Sequence, residues 1–144
     1  MQAREIAQRL FESIRAAHGG LEMRIEADGG ISELEVTIKA QPGLEFDVTL
    51  ALHNVDELHL GAGELWVSWF PCTIEDVVRQ YREAVDGLLS GRYRILEYRR
   101  WGHVVKAYLQ RPSGSDWQNV HRYYRSWPFS WFCTDVRALQ NLPR

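Results

Sequence analysis

His53-Asn54-Val55-Asp56-Glu57-Leu58-His59 places two imidazoles and two carboxylates within one short stretch. Imidazole and carboxylate are good ligands for zinc or iron, and at neutral pH they are the groups that move protons. The spacing fits no familiar metal-ligand set, so no metal or cofactor is expected. The acid–base reading needs these groups inside a pocket. His53, Asp56 and His59, joined by His103 and Tyr108 from later in the chain, would then line it. Cys72 precedes a helix-like segment, where a helix N-terminus could favour a thiolate, with His103 or His121 as base. Its plainer role is a small apolar residue behind Trp69 and Phe70. Gly61-Ala62-Gly63 lacks the third glycine and the following helix of a phosphate loop, and Gly114-Ser115 lacks the spacing of a nucleophile elbow.

The elements that must carry these residues follow from periodicity. Ile6, Leu10, Phe11 and Ile14 share one face of a helix over residues 2–17, stopped by His18-Gly19-Gly20. Strict alternation follows: Leu21, Met23 and Ile25, then Leu34, Val36 and Ile38, then Leu44 to Leu52 on every second residue. Turns at Asp28-Gly29-Gly30 and Pro42-Gly43 separate these strands. Such a meander buries one face and wets the other. Two more strands, 58–60 and 64–70, complete the first block. Trp66 and Trp69 stand three positions apart on the last of them, so their rings point to opposite faces. Thr73 reads as the N-cap of a second helix whose apolar face holds Ile74, Val77, Val78, Tyr81, Val85, Leu88 and Leu89, ended by Ser90-Gly91. Strands over 92–100, 103–111 and 117–125 form a second meander, and Val136, Leu139 and Leu142 suggest a closing helix.

The expected fold is therefore α+β: an antiparallel meander sheet with helices on one face, in the order α-βββ(ββ)-α-βββ-α, within a single domain spanning 1–144. Ser68-Trp69-Phe70-Pro71-Cys72-Thr73 nearly recurs as Ser130-Trp131-Phe132-Cys133-Thr134. Two explanations stand open. One is an internal pseudo-repeat, with halves 1–72 and 73–133 and a C-terminal helix 134–142; the other is coincidence in a tryptophan-rich chain. In element order alone, the layout resembles that of type III secretion chaperones, which implies a protein-binding role.

Charge is segregated. Residues 1–91 carry seven Lys/Arg and sixteen Asp/Glu, a net of −9, whereas residues 92–144 carry ten and three, a net of +7. The basic part also holds eleven of the aromatic residues. The split reads as pairing between neighbouring strands, as a protein interface rich in Trp, Tyr and Arg, or as a single-stranded nucleic-acid surface. A net charge of −2 and the lack of any known RNA- or DNA-binding motif argue against the third. The leading expectation is a non-catalytic protein-binding module of the chaperone, adaptor or inhibitor type, engaging another protein or a second copy as a dimer. Trp66, Arg99, Arg100, Trp101, Tyr124 and Trp127 are its expected anchors. A small-ligand or acid–base pocket protein is the alternative, and a nucleic-acid binder the next.

Two cysteines are too few for a disulfide scaffold, and the N-terminus reads as neither signal peptide nor membrane span. The basic residues are nearly all Arg, which suggests a GC-rich bacterial genome; a bacterial cytoplasmic protein is the expectation.

Overall fold

The computed structural model describes residues 2–27, 32–125 and 133–142. Helix α1 spans Ala3–Ala17. Five strands follow: β1 (Arg24–Ala27), β2 (Leu34–Ile38), β3 (Val48–His53), β4 (Glu57–Ala62) and β5 (Leu65–Trp69). Helix α2 spans Glu75–Leu89, and β6 (Arg94–Arg100), β7 (His103–Ser113), β8 (Asp116–Tyr124) and β9 (Asp135–Leu139) complete the chain. No helix among the described residues is long and apolar enough to cross a membrane.

The mixed α+β, antiparallel character stands, but the strands form two sheets. The first is a pure meander, β1-β2-β3-β4-β5. The second runs β8-β7-β6-β9. In the first sheet the alternation decides the faces. Val36, Leu50, Leu60 and Val67 lie in register across four strands and are buried, as are their neighbours two residues along. Both helices cover this face, α1 with Ala7, Leu10, Phe11 and Ile14, and α2 with Tyr81, Ala84, Val85 and Leu88. Each such Leu or Ile side chain contributes about 1.5–3 kcal/mol through removal from water. Tyr81 is fully buried and its hydroxyl donates to the His59 carbonyl at 2.7 Å, which satisfies the phenol inside the core.

The two sheets meet along β5 and β8 without a shared ladder. The Trp69 and His121 rings stand edge to face with centroids 4.7 Å apart, and His121 Nε2 lies 3.1 Å from the Ser68 carbonyl. Ile95, Ala107 and Leu109 extend the hydrophobic core into the second sheet. Tyr93 packs so closely on Gly87 that a Cβ there would come within 2.4 Å of its ring. The end of α2 is thereby pinned to the start of β6.

Three local expectations need correction. Residues 135–139 form strand β9, not a C-terminal helix. Val136 and Leu139 fit helical spacing over too short a window to decide, whereas β6 offered a free edge, and Ile95–Arg99 took β9 as antiparallel partner. Thr134 accordingly caps no helix. Its hydroxyl accepts the Trp101 N–H at 3.1 Å, and its N–H donates to the Arg99 carbonyl at 2.7 Å, fastening β9 to the β6–β7 turn. Likewise Thr73 is not the N-cap of α2: Ile74 occupies that position without a side-chain bond, and the acidic Glu75 and Asp76 meet the positive helix end instead. The segments after the two Ser-Trp-Phe copies thus differ, one helical and one extended. Ser130, Trp131 and Phe132 lie outside the described residues.

Candidate functional site

The second sheet positions its side chains by the same alternation. Its inner rows are His121–Leu109–Ile95–Leu139 and Tyr123–Ala107–Glu97–Arg137. Its outer rows are Asn119–Gln110–Arg94, Arg122–Tyr108–Leu96–Ala138 and Tyr124–Lys106–Tyr98–Val136. Both helices lie on the first sheet, and neither makes a substantial contact with this outer face. Among the described residues the outer rows hold three tyrosines and three cations, and no carboxylate.

These side chains brace one another. The Tyr98 and Tyr108 rings are edge to face at 5.7 Å, and Tyr108 and Tyr124 at 6.3 Å. The Tyr108 and Tyr124 hydroxyls share a 3.1 Å hydrogen bond. That bond, assisted by partial burial, pushes the Tyr108 pKa up to about 12. The same bond, with Arg122 and Lys106 nearby, lowers that of Tyr124. Lys106 Nζ sits 4.6 Å from the Tyr98 ring centre, Arg122 lies over Tyr124 at 5.7 Å, and Arg94 over Trp117 at 4.2 Å. Arg94 Nε also donates to Gln110, which donates on to Asn119. The cations are held in place by rings and amides and remain available to an incoming anion.

The expected anchors fall in several places. Tyr124 is on this face, 47% exposed. Arg100 stacks on Trp101 at 4.4 Å, and Trp101, 73% exposed at the β6–β7 turn with φ +48°, projects from the same end of the sheet. Trp66 and Arg99 lie elsewhere, lining a cleft between the sheets. Trp127 lies outside the described residues. Sequence reasoning missed Tyr98, Lys106, Arg94 and Arg122 as members of the surface. Their signal was the every-second-residue recurrence of Tyr and Arg/Lys, visible once the strand register is known.

The expected pocket set does not converge. His53 and His59 do meet, ring centres 4.5 Å apart on the outer face of the first sheet, with Trp66 beside both at 5.8 and 5.4 Å. His59 Nε2 contacts Glu57 at 2.9 Å, and His53 Nε2 contacts Ser32 Oγ at 2.8 Å, which donates to Glu35 at 2.9 Å. Burial and the neighbouring His59 hold the His53 pKa below its ordinary value. Because the Ser32 hydroxyl proton goes to Glu35, His53 must donate to that oxygen, and the trio is not a primed nucleophile. Asp56 sits in the β3–β4 turn, where its carbonyl accepts the Cys72 N–H at 2.9 Å. His103 is at the start of β7, lining the cleft, and Tyr108 is on the outer face of the second sheet. No group of three or more His, Cys, Asp or Glu among the described residues could hold a metal ion.

Cys72 is fully buried, and burial pushes its thiol pKa up, the reverse of what a nucleophile requires. It is a small core residue whose Sγ lies 3.7 Å from the Ala3 carbonyl, whereas Phe70 is exposed; Cys72 and Cys133 are both free thiols.

Comparison with known proteins finds no match: no family model, curated protein or solved structure aligns significantly with this chain.

Proposed function

We propose that this chain is a non-catalytic binding module, and that the outer face of β6, β7 and β8 docks an acidic segment of another protein. The supporting observation is the carboxylate-free lattice of Tyr98, Tyr108 and Tyr124 with Arg94, Lys106 and Arg122, left uncovered by the helices. Tyrosine and arginine dominate protein interfaces because they bring large contact area and strong hydrogen bonds at low entropic cost. Fixed guanidinium and ammonium groups recognise carboxylates directly and speed encounter. Nucleic acid would use the same cations, but it also needs ring faces open to bases. Here Lys106, Arg122 and Arg94 already lie over ring faces, and Tyr108 is held edge-on between two neighbours, which favours the acidic polypeptide.

Fluorescence anisotropy with a labelled glutamate–tyrosine copolymer and with single-stranded oligothymidine tests this. Expected is copolymer binding that weakens with salt and falls at least about tenfold in the Lys106→Glu/Arg122→Glu protein, since two attractive charges become repulsive. Equal copolymer affinity in that variant would refute the docking face. Tighter binding to oligothymidine would replace the proposed partner with nucleic acid.

A further inference from the structure

A cleft of about 790 Å³ opens between the β4–β5 hairpin and the inner face of the second sheet. It is separate from the tyrosine lattice, which lies on the opposite face. Two glycines shape it. A Cβ on Gly61 would fall 2.5 Å from the Trp66 ring, so the glycine lets the indole lie flat across its own strand pair. Gly63, with φ +56°, would place a Cβ 2.9 Å from Leu139 and 3.1 Å from the Glu97 carboxylate. The hairpin therefore descends directly onto Glu97.

Among the described residues, two charged groups at this place are incompletely satisfied, Glu97 and Arg99. Glu97 is 4% exposed, and among the described residues its carboxylate accepts one long hydrogen bond, with Oε2 3.4 Å from the Glu64 nitrogen. Arg137 stands directly across the ladder from it, and Arg99 lies two residues along the same strand. Among the described residues, Arg99, Arg125 and Arg137, which all line the cleft, make no ion pair within 4.0 Å. Arg99 donates one Nη2 proton to the Gly102 carbonyl at 2.8 Å, but its Nε–H is sealed from solvent without an acceptor among the described residues. Arg125 and Arg137 are exposed to water and Arg99 is half-buried, so the cost falls on the buried Glu97 carboxylate and the sealed Arg99 Nε–H, which destabilise unless something completes them.

We infer that the cleft is a binding site for a small aromatic acid. The anionic group, a carboxylate, sulfonate or phosphate, accepts from the guanidiniums of Arg99 and Arg137, with Arg125 at the mouth. The ring lies on the exposed side of Trp66, which is 39% exposed. Glu97 accepts an N–H or O–H donor from the same molecule or an accompanying water. The chemistry combines charge-assisted hydrogen bonds with aromatic packing in a polar cleft large enough for a compact ligand.

Two fluorescent probes differing by one charge test the inference: 8-anilinonaphthalene-1-sulfonate and its uncharged parent, N-phenyl-1-naphthylamine. In the Lys106→Glu/Arg122→Glu protein, whose outer face no longer attracts anions, saturable sulfonate binding is expected, with the neutral probe at least about tenfold weaker. Arg137→Gln and Trp66→Ala should each weaken sulfonate binding several-fold, while Arg24→Gln, an exposed residue of β1 away from the cleft, leaves it unchanged. Glu97→Gln should hold or strengthen it, because a like charge is removed. Thermal melts identify any variant that fails to fold, in which case Arg125→Gln replaces Arg137→Gln. Equal affinity for the two probes would overturn the inference. So would undiminished sulfonate binding in a folded cleft-arginine variant. Because the copolymer assay reads the opposite face, failure here leaves the docking proposal separately testable.

Discussion

His53 carries a pH dependence that its packing creates. It was expected to line a pocket; it lies against His59 and Trp66, bonded to Ser32. Burial and the second imidazole hold its folded pKa below the 6.5 of an unperturbed histidine. The unfolded chain therefore binds more protons than the folded one between those two values. Stability should fall as pH drops through about 6.5 and level off below the folded pKa. Urea midpoints measured from pH 8 to pH 5 should show this slope, and His53→Gln should flatten part of it. An unchanged slope in that variant would mean that His53 is not the responsible group.

At the scale of elements, the residue types that pack were legible and the partners they chose were not. The apolar stripe of α2 and the opposed Trp66 and Trp69 of β5 follow from periods of 3.6 and 2, because burial on one face selects them directly. The start of α2 was misjudged by one residue, because Thr73 is the better capping type while the N-cap is Ile74, exposed and without a side-chain bond. Strand β9 was missed because five residues satisfy either period, and only the free edge of β6 decided between them. The same reasoning explains why the pocket set dispersed while the tyrosine lattice assembled: membership of a face depends on register, which no single segment encodes. The contact between α2 and β6 gives a test at this level. Gly87→Ala adds a methyl where the Tyr93 ring stands 2.4 Å away, so it should destabilise by about 1–3 kcal/mol despite alanine's better helix propensity. Gly20→Ala, with nothing within 4 Å of its Cβ, should not be destabilised by a clash. Chemical denaturation of the pair separates the packing term from any general effect of losing glycine.

Across the whole molecule, the sequence split in charge becomes a spatial one. The first sheet shows Glu26, Glu35 and Glu57 on its outer face, whereas the second shows Arg94, Lys106 and Arg122. Because the two ladders are distinct, the opposite charges are not interleaved strand by strand, and the expected pairing between neighbouring strands does not absorb them. A chain of pI about 6.2 should flow past a cation-exchange resin at neutral pH if only its total charge mattered. This one should be retained by sulfonate beads and by quaternary-amine beads alike, adhering through a different flank to each. Exchanging Lys106 and Arg122 for glutamate should abolish retention on the sulfonate column and lengthen it on the other.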